Sequence, residues 1–444
     1  VGALSGRPAS APDPPHGAVE AVREPLPDRP TPYDELLGRV FDQLLAGGLE
    51  TAGPGYLAYM PSGGLLHAAV ADLIAAAVNR YVGNWAACPG LVELEATVVR
   101  WFADLVGYPT AARGYLASGG SVANFSAVLT ARHARLGESL EGGTAYGSDV
   151  AHHSMMKAMR MAGFPDGSFR QLASDAGFRL PPEAVRDAVR ADRRRGLRPF
   201  LLVANAGTTL TGAVDDLPAL AEVAREEGLW LHADAAYGGF FRLTDRGRVR
   251  LAGLDRTDSV TLDPHKSLFL PYGTGALVVR DGDALRKAHR SSGQLYSPRQ
   301  EHPDRVDFCE YSPELTRGLR GLRVWLPLKM HGAGAFRRYL DEKLDLARWA
   351  AGQVRAIDGV ELVAEPVLSV VVFRLTRPDA GAEELDALNQ RLLDSVNARR
   401  RVLLTGVTLR GRFALRLCVL SFRTHRENME HAVEDIRAAV GELG

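Results

Sequence analysis

The stretches LHADAAYGG (residues 231–239) and SVTLDPHKSLFLPYGTGALVV (residues 259–279) decide the fold of this chain. The first predicts a short apolar strand that stops at an acid, Asp234, and continues into small residues and glycine. The second predicts another strand, which ends in DPHK at residues 263–266. Parallel strands that end in this way border a ligand crevice at the carboxyl edge of a sheet. The pattern therefore predicts an acid and an amine at one edge of an α/β sheet.

The same alternation of strand, crevice residues and helix extends through the middle of the chain. Residues 114–136 predict a strand, then SGGS, then a helix, and residues 200–216 predict an apolar strand followed by NAGTT. This succession is typical of a mostly parallel sheet covered by helices, and residues 272–282 predict one further strand that can run antiparallel. Four short strands and two helices predicted after residue 358 indicate a smaller C-terminal α+β domain. We divide the chain into an N-terminal extended or helical segment (1–62), a large domain (63–334) and a small C-terminal domain (335–444).

Composition excludes several classes of function. The 444 residues carry 53 basic and 53 acidic side chains, so no net field attracts nucleic acid or anionic lipid. Three scattered cysteines show neither a disulfide framework nor the spacing of a metal site, which favours a reducing, cytoplasmic location. We find no apolar segment typical of a secretion signal or a membrane span. We therefore expect an enzyme that acts on a small molecule.

The chain has only five lysines, and Lys266 is the one that lies among Leu, Phe, Pro and Gly. Taken alone, Asp234 is most simply a turn or cap residue, and a lysine is most simply solvated. An unpaired charge in apolar surroundings is costly, however, unless the amine is neutral or covalently used. An acid at one strand end and a lysine 32 residues later fit pyridoxal 5'-phosphate (PLP) chemistry. There the lysine binds the aldehyde as a Schiff base and the carboxylate keeps the pyridine nitrogen protonated.

These segments resemble the group II PLP-dependent amino acid decarboxylases, the family of aromatic-L-amino-acid and glutamate decarboxylases. The resemblance covers roughly residues 55–430 and includes NWAACPGLVELE (84–95), SGGS (118–121) and SDVAH (148–152). It implies the aspartate aminotransferase-like fold, PLP fold type I, with a mostly parallel seven-stranded sheet. It also implies a homodimer whose sites are built by both subunits, and the apolar residues 55–107 are unusual for a monomer surface.

The resemblance assigns roles around the cofactor. Lys266 would hold PLP, Asp234 would contact the ring nitrogen and His152 would stack on the ring. From the residues alone, SGGS is equally a helix cap, and His152 lies in a strand-to-helix turn. The remaining cofactor neighbours implied by the resemblance are Gly120, Ser121, Thr208, Ala236 and His265.

The substrate and product are less sharply indicated. The resemblance places Tyr59 and Pro61, Trp85 and Phe308 near the substrate, which we expect to be an aromatic or bulky apolar L-amino acid. An aliphatic or acidic amino acid is the alternative. Family decarboxylases return a proton to Cα from a loop tyrosine, and counting back from the predicted helix that contains Arg317, Arg320 and Trp325 places Phe308 there. Tyr311 is then the expected donor, and amine and CO₂ are the expected products. Without a phenol, the expected product is an aldehyde, as in relatives with that replacement.

Overall fold

The structure is a computed structural model that describes residues 7–10, 17, 19–290 and 305–443. The chain divides into two compact units. The large unit comprises residues 62–347 and 366–370. The small unit comprises the described residues up to 61, together with 348–365 and 371–443. The N-terminal segment thus groups with the C-terminal part of the chain rather than forming a unit of its own.

A seven-stranded sheet organises the large unit. Its spatial order is β1-β7-β6-β5-β4-β2-β3, and β7 runs antiparallel to both of its neighbours, β1 and β6. The other adjacent pairs are parallel, so the predicted mostly parallel sheet with one antiparallel strand is confirmed. The strands are β1 Arg113–Ala117, β2 Gly143–Ser148, β3 Phe169–Leu172, β4 Arg198–Asn205, β5 Trp230–Asp234, β6 Ser259–Leu262 and β7 Gly275–Val279.

Helices connect these strands and pack against them. The central strands can be apolar over their whole length because they are covered, and residues 200–205 of β4 are all buried. The helices are α1 Tyr33–Gly38, α2 Leu66–Val78, α3 Pro89–Val106, α4 Gly120–Leu136, α5 Ser154–Met161, α6 Pro182–Arg194, α7 Leu217–Glu226, α8 Asp245–Arg250, α9 Pro264–Ser267, α10 Gly282–His289, α11 Gly321–Arg355, α12 Ala382–Ala398 and α13 Arg426–Leu443. A π-helical segment, Arg39–Leu44, follows α1, and α11 is broken at Gly332.

Helix α3 shows how the sequence defines an element. Pro89 begins the helix, where its missing N–H is not needed, and Gly107 ends it with a φ of 91° that favours glycine. An apolar stripe recurs at helical spacing, and its members Val92, Val98 and Phe102 are buried. These three residues therefore belong to the core.

A second sheet is small and antiparallel. Its order is β10-β11-β9-β8, and its strands are β8 Val360–Ala364, β9 Val370–Leu375, β10 Thr405–Leu409 and β11 Arg412–Cys418. Helices α12 and α13 pack against each other, and α12 packs on β11. The predicted smaller C-terminal α+β part is thereby confirmed.

None of the helices in the described part of the chain has the length and apolar content needed to cross a membrane. Cys88, Cys309 and Cys418 form no disulfide within the described part of the chain. The cytoplasmic location stays a prediction.

Candidate active site

The ends of the parallel strands surround one cavity of about 310 Å³. Asp234 is the last residue of β5 and Asn205 is the last residue of β4, while Asp263 directly follows β6. Parallel strands present their carboxyl ends at the same edge, which is why residues far apart in sequence meet here. Eight residues predicted from the sequence line this cavity: Gly120, Ser121, His152, Thr208, Asp234, Ala236, His265 and Lys266.

The turn from β1 into α4 forms one end of the cavity. A Cβ atom on Gly120 would lie 2.9 Å from Asp263 Oδ2 and 3.3 Å from the Ala236 Cβ, so only glycine fits. The first-turn N–H groups of this 17-residue helix precede its internal hydrogen bonds and lie at the positive end of its dipole. His265 lies beside this turn, and its Nδ1 donates to the Thr274 carbonyl at 2.7 Å. This end of the cavity suits a phosphate.

An amine and a carboxylate lie close together at the end of β6. Lys266 Nζ is 3.0 Å from Asp263 Oδ2, and Asp263 is 2% exposed. The second carboxylate oxygen, Asp263 Oδ1, is buried without a hydrogen-bond partner in the described structure. The pair places an amine at the cavity wall beside a buried carboxylate.

A second carboxylate lies at the end of β5. Asp234 Oδ2 accepts a hydrogen bond from Asn124 Nδ2 at 3.0 Å, and Asp234 Oδ1 accepts one from the Ala236 N–H at 3.2 Å. His152 lines the same cavity, and burial lowers the pKa of its imidazole below the ordinary value. The imidazole is therefore neutral at neutral pH.

Together these groups fit PLP. The glycine turn and helix terminus suit the phosphate, Asp234 suits a protonated ring nitrogen, and Lys266 suits the aldehyde. Thr208 is buried at the wall, where its hydroxyl accepts hydrogen bonds from the N–H groups of Thr211 and Ala213, both at 3.2 Å.

Three predicted residues of the large unit do not line this cavity. Trp85 packs at the edge of the core, with the Arg305 guanidinium 4.0 Å above its ring centroid. Phe308 is buried in the core at the start of the 3₁₀ turn Phe308–Glu310. Tyr311 packs against the same core, and burial raises the pKa of its phenol. The structure does not bring these three residues into the cavity of their own chain, and their roles stay predictions.

The predicted residues Tyr59 and Pro61 belong to the small unit. Tyr59 has a φ of 47° and a side chain that is 61% exposed, and its carbonyl accepts a hydrogen bond from Arg416 at 2.7 Å. Pro61 is buried. Their proposed contact with substrate also stays a prediction.

The sequence analysis missed several cavity residues. Asp263 belongs to the same DPHK stretch as Lys266, and its place directly after a strand was a usable signal. Asn124 lies one helical turn after Gly120, so it faces the same side of α4. Ser154 and Asn205 gave no comparable signal, because a serine in a turn and an asparagine at a strand end are common.

Comparisons with known proteins agree with this geometry. The family model for the pyridoxal-dependent decarboxylase conserved domain matches residues 15–376. An aromatic-L-amino-acid decarboxylase of Bacillus atrophaeus is 32% identical over 428 residues, covering 95% of this chain and 88% of that protein. A phenylacetaldehyde synthase of Arabidopsis thaliana is 28% identical over 419 residues, covering 91% and 86% respectively. The crystal structure of Oryza sativa TDC with PLP and tryptamine superposes with a TM-score of 0.94 at 26% identity, covering 100% of this chain and 94% of that one.

Proposed function

The chain belongs to the pyridoxal-dependent decarboxylase family, and we propose that it converts an aromatic L-amino acid into its amine and carbon dioxide. The family, the cofactor and PLP fold type I, all predicted from the sequence, are confirmed. The observation that carries the proposal is the cavity that unites Lys266, Asp234, His152 and the glycine turn. The aromatic substrate is supported by the relative from Bacillus atrophaeus.

Each residue has a separate task in this proposal. Lys266 provides the amine for covalent attachment, and the first turn of α4 binds the phosphate. Asp234 would hold a proton on the ring nitrogen, and His152 would cover the ring. When bound, PLP supplies an electron sink that lets the bond between Cα and the carboxylate break. Asp263 accepts a hydrogen bond from Lys266 whenever that amine is free.

The product depends on the group that returns a proton to Cα. We propose Tyr311, because its phenol carries an exchangeable proton and lies three positions after Phe308, which has none. Since Tyr311 does not line the cavity of its own chain, this role requires the cavity of a second copy. Aldehyde formation is the second candidate function, because Phe308 carries no exchangeable proton at the counted position and one relative is a phenylacetaldehyde synthase.

An aerobic reaction with a panel of aromatic, aliphatic and acidic L-amino acids tests this proposal. We expect CO₂ and one equivalent of amine from an aromatic substrate, with no peroxide. Aldehyde with stoichiometric peroxide would establish the second candidate instead. Tyr311→Phe should then raise the aldehyde share if Tyr311 is the donor, and an unchanged amine yield in that variant would exclude it.

Covalent attachment is tested separately. Borohydride treatment of the PLP-loaded protein should fix the cofactor to the peptide that contains Lys266. The variant Lys266→Arg should keep phosphate binding but lose the borohydride-stable label, because a guanidinium does not form the covalent bond. A label on the peptide that contains Lys157 would overturn the assignment.

We also propose a homodimer. Helix α2 leaves Leu73 70% exposed and Ile74 44% exposed, and the segment after α1 leaves Phe41 63% exposed. Large apolar side chains in such numbers are unusual on a surface that faces only water. Sedimentation at micromolar concentration should give about twice the chain mass of 47.9 kDa. A fully active monomer would end this proposal.

A further inference from the structure

A buried chain of hydrogen bonds runs behind the cavity from Trp230 to His152. It passes through Ser259, His232, Asn124 and Ser154 before it reaches His152. Apart from His152, which borders the cavity, each member is at most 4% exposed. The contacts are Trp230 Nε1 to Ser259 Oγ (2.8 Å), Ser259 Oγ to His232 Nδ1 (2.9 Å), His232 Nε2 to Asn124 Oδ1 (3.1 Å), Asn124 Nδ2 to Ser154 Oγ (3.0 Å) and Ser154 Oγ to His152 Nδ1 (2.7 Å).

The direction of the bonds follows from groups that can act in only one way. The Asp234 carboxylate only accepts, so the amide group that Asn124 turns toward it must be its NH₂. Asn124 Oδ1 therefore faces His232 and must accept a proton from Nε2. Burial lowers the pKa of His232 to about 4, so the ring is neutral and its Nδ1 is bare. Nδ1 then accepts from the Ser259 hydroxyl, whose oxygen accepts from the Trp230 N–H, and every group on this arm is satisfied.

The other arm fixes the cavity imidazole in the same way. The second N–H of Asn124 donates to Ser154 Oγ. The Ser154 hydroxyl in turn donates its own proton to His152 Nδ1. The backbone N–H of Ser154 also points at His152 Nδ1, at 3.2 Å. A backbone N–H can only donate, so Nδ1 must be bare. Because the neutral ring carries one proton, that proton lies on Nε2.

We propose that Asn124 and Ser154 are positioning residues that fix His152 in its Nε2-protonated tautomer and tie it to the Asp234 carboxylate. The side-chain amide of Asn124 links the two residues, since one of its N–H groups binds Asp234 and the other binds Ser154, which in turn binds His152. The imidazole therefore offers the cavity an N–H donor and not a base. A proton on Nδ1 would face the Ser154 N–H and break a buried hydrogen bond, which shifts the tautomer ratio by about tenfold.

The mechanistic meaning of this tautomer rests on the proposed function, but the tautomer does not. As a donor, His152 can hold an electron-rich group of the substrate or cofactor, and it does not remove a proton at neutral pH. Because the Asn124 amide binds Asp234 directly and His152 through Ser154, the orientation of the Asp234 carboxylate depends on that of the His152 ring. A disturbance at either residue is thus transmitted to the other through Asn124.

Nitrogen NMR of the cofactor-free protein tests the proposal directly. In protein labelled with ¹⁵N-histidine, a bare ring nitrogen resonates far downfield of a protonated one, so the two tautomers are distinguished at pH 8. The chain has twelve histidines, and His152→Gln assigns the resonance pair by its loss. We expect His152 to show a bare Nδ1 and a protonated Nε2. A protonated Nδ1 in the unaltered protein would overturn the proposal without any variant.

Variants then test which residues hold the tautomer. Asn124→Leu frees the Ser154 oxygen to accept, so both tautomers should become populated and the two ¹⁵N shifts should move toward each other. Ser154→Ala should have a smaller effect, because without Oγ no group accepts a proton from Nδ1 while the backbone N–H still donates to it. Ser154→Thr should keep the original shifts. The control is Thr130→Val, a buried residue of α4 whose hydroxyl donates to the Ser126 carbonyl. Unchanged His152 shifts in both Asn124→Leu and Ser154→Ala would also overturn the proposal.

Failure of this proposal and failure of the proposed function give different results. The NMR measurement uses neither cofactor nor substrate. Protein with the expected tautomer that releases no CO₂ from any amino acid would refute the function and leave the tautomer assignment standing. Active protein with a protonated Nδ1 would do the reverse.

Discussion

The buried ion pair between Glu95 of α3 and Arg317 allows a quantitative test of the core. Both side chains are fully buried, and Arg317 donates to Glu95 Oε1 at 2.7 Å. Both also bind the backbone of Leu116 in β1, where Glu95 accepts its N–H at 3.1 Å and Arg317 donates to its carbonyl at 2.7 Å. Within the described structure, Glu95 Oε2 and two guanidinium nitrogens of Arg317 have no hydrogen-bond partner. The pair thus links the segment after residue 305 to the sheet but is incompletely satisfied.

The magnitudes follow from that geometry. Glu95→Leu leaves a buried guanidinium without its counter-charge, and we expect a loss of about 3–5 kcal/mol in the free energy of unfolding. Arg317→Leu should cost a similar amount because it leaves a buried carboxylate. The double replacement removes both charges together with their unmade hydrogen bonds, so its stability should lie within about 2 kcal/mol of the unaltered protein.

Urea unfolding of the cofactor-free protein, followed by tryptophan fluorescence, measures all three variants in one double-mutant cycle. The control is Asp166→Ala, which breaks a surface ion pair between Arg160 (74% exposed) and Asp166 (82% exposed). It should change stability by less than about 1 kcal/mol. A loss below about 1 kcal/mol for Glu95→Leu, or a double variant as unstable as the sum of its singles, would refute this account of the pair.

Two further predictions concern the cavity and its pH response. In Gly275→Ala, the new Cβ would lie 2.5 Å from the Gly119 backbone and 2.7 Å from Asp263 Oδ1, so we expect PLP affinity to fall by at least about tenfold in an absorbance titration. The control is Gly352→Ala, where a Cβ meets nothing within 4 Å and PLP affinity should not change. Equal PLP affinities in the two variants would contradict the prediction. The second prediction concerns pH, because burial lowers the pKa of His232 to about 4. In the unfolded chain this imidazole is protonated near pH 6.5, whereas in the folded chain it is protonated only near pH 4. As pH falls from about 6.5 to about 4, His232 should therefore cost up to about 3 kcal/mol of the free energy of unfolding. In His232→Gln, the midpoint of urea unfolding should decrease less steeply as pH is lowered. The same pH dependence in the variant and the unaltered protein would refute the assignment.

The sequence predicts most of the sheet because its strands are short apolar runs that end in polar residues. Asp234 and Lys266 are predicted for the same reason, since each lies where such a strand ends, whereas His152 is implied by the family resemblance. The bonds from Asn124 to Asp234 and Ser154 could not be predicted, because they depend on how α4, β5 and α5 pack together. The π-helical turns after α1 were also missed, since residues 33–49 carry an ordinary helical pattern.

The register of the residues before α11 could not be derived from the sequence either. Phe308 and Tyr311 lie three positions apart, and no periodic pattern indicates which of them faces a substrate. Packing determines how far each side chain is buried. The Arg317 guanidinium lies 4.7 Å from the centroid of the buried Phe308 ring, whereas Tyr311 is only partly buried. Residues 291–304, which include a further tyrosine, Tyr296, lie outside the described residues.

The antiparallel strand β7 has a consequence for the order of folding. It joins β1, which leads into the turn at Gly120, to β6, which leads into Lys266, and Arg113 pairs with Val279 across 166 positions of chain. Contacts between such distant segments form late, because a long loop must close before they are made. During synthesis, the turn at Gly120 emerges well before the strand that fixes its distance from the lysine. The ability to bind the cofactor should therefore be among the last properties that a newly made chain acquires.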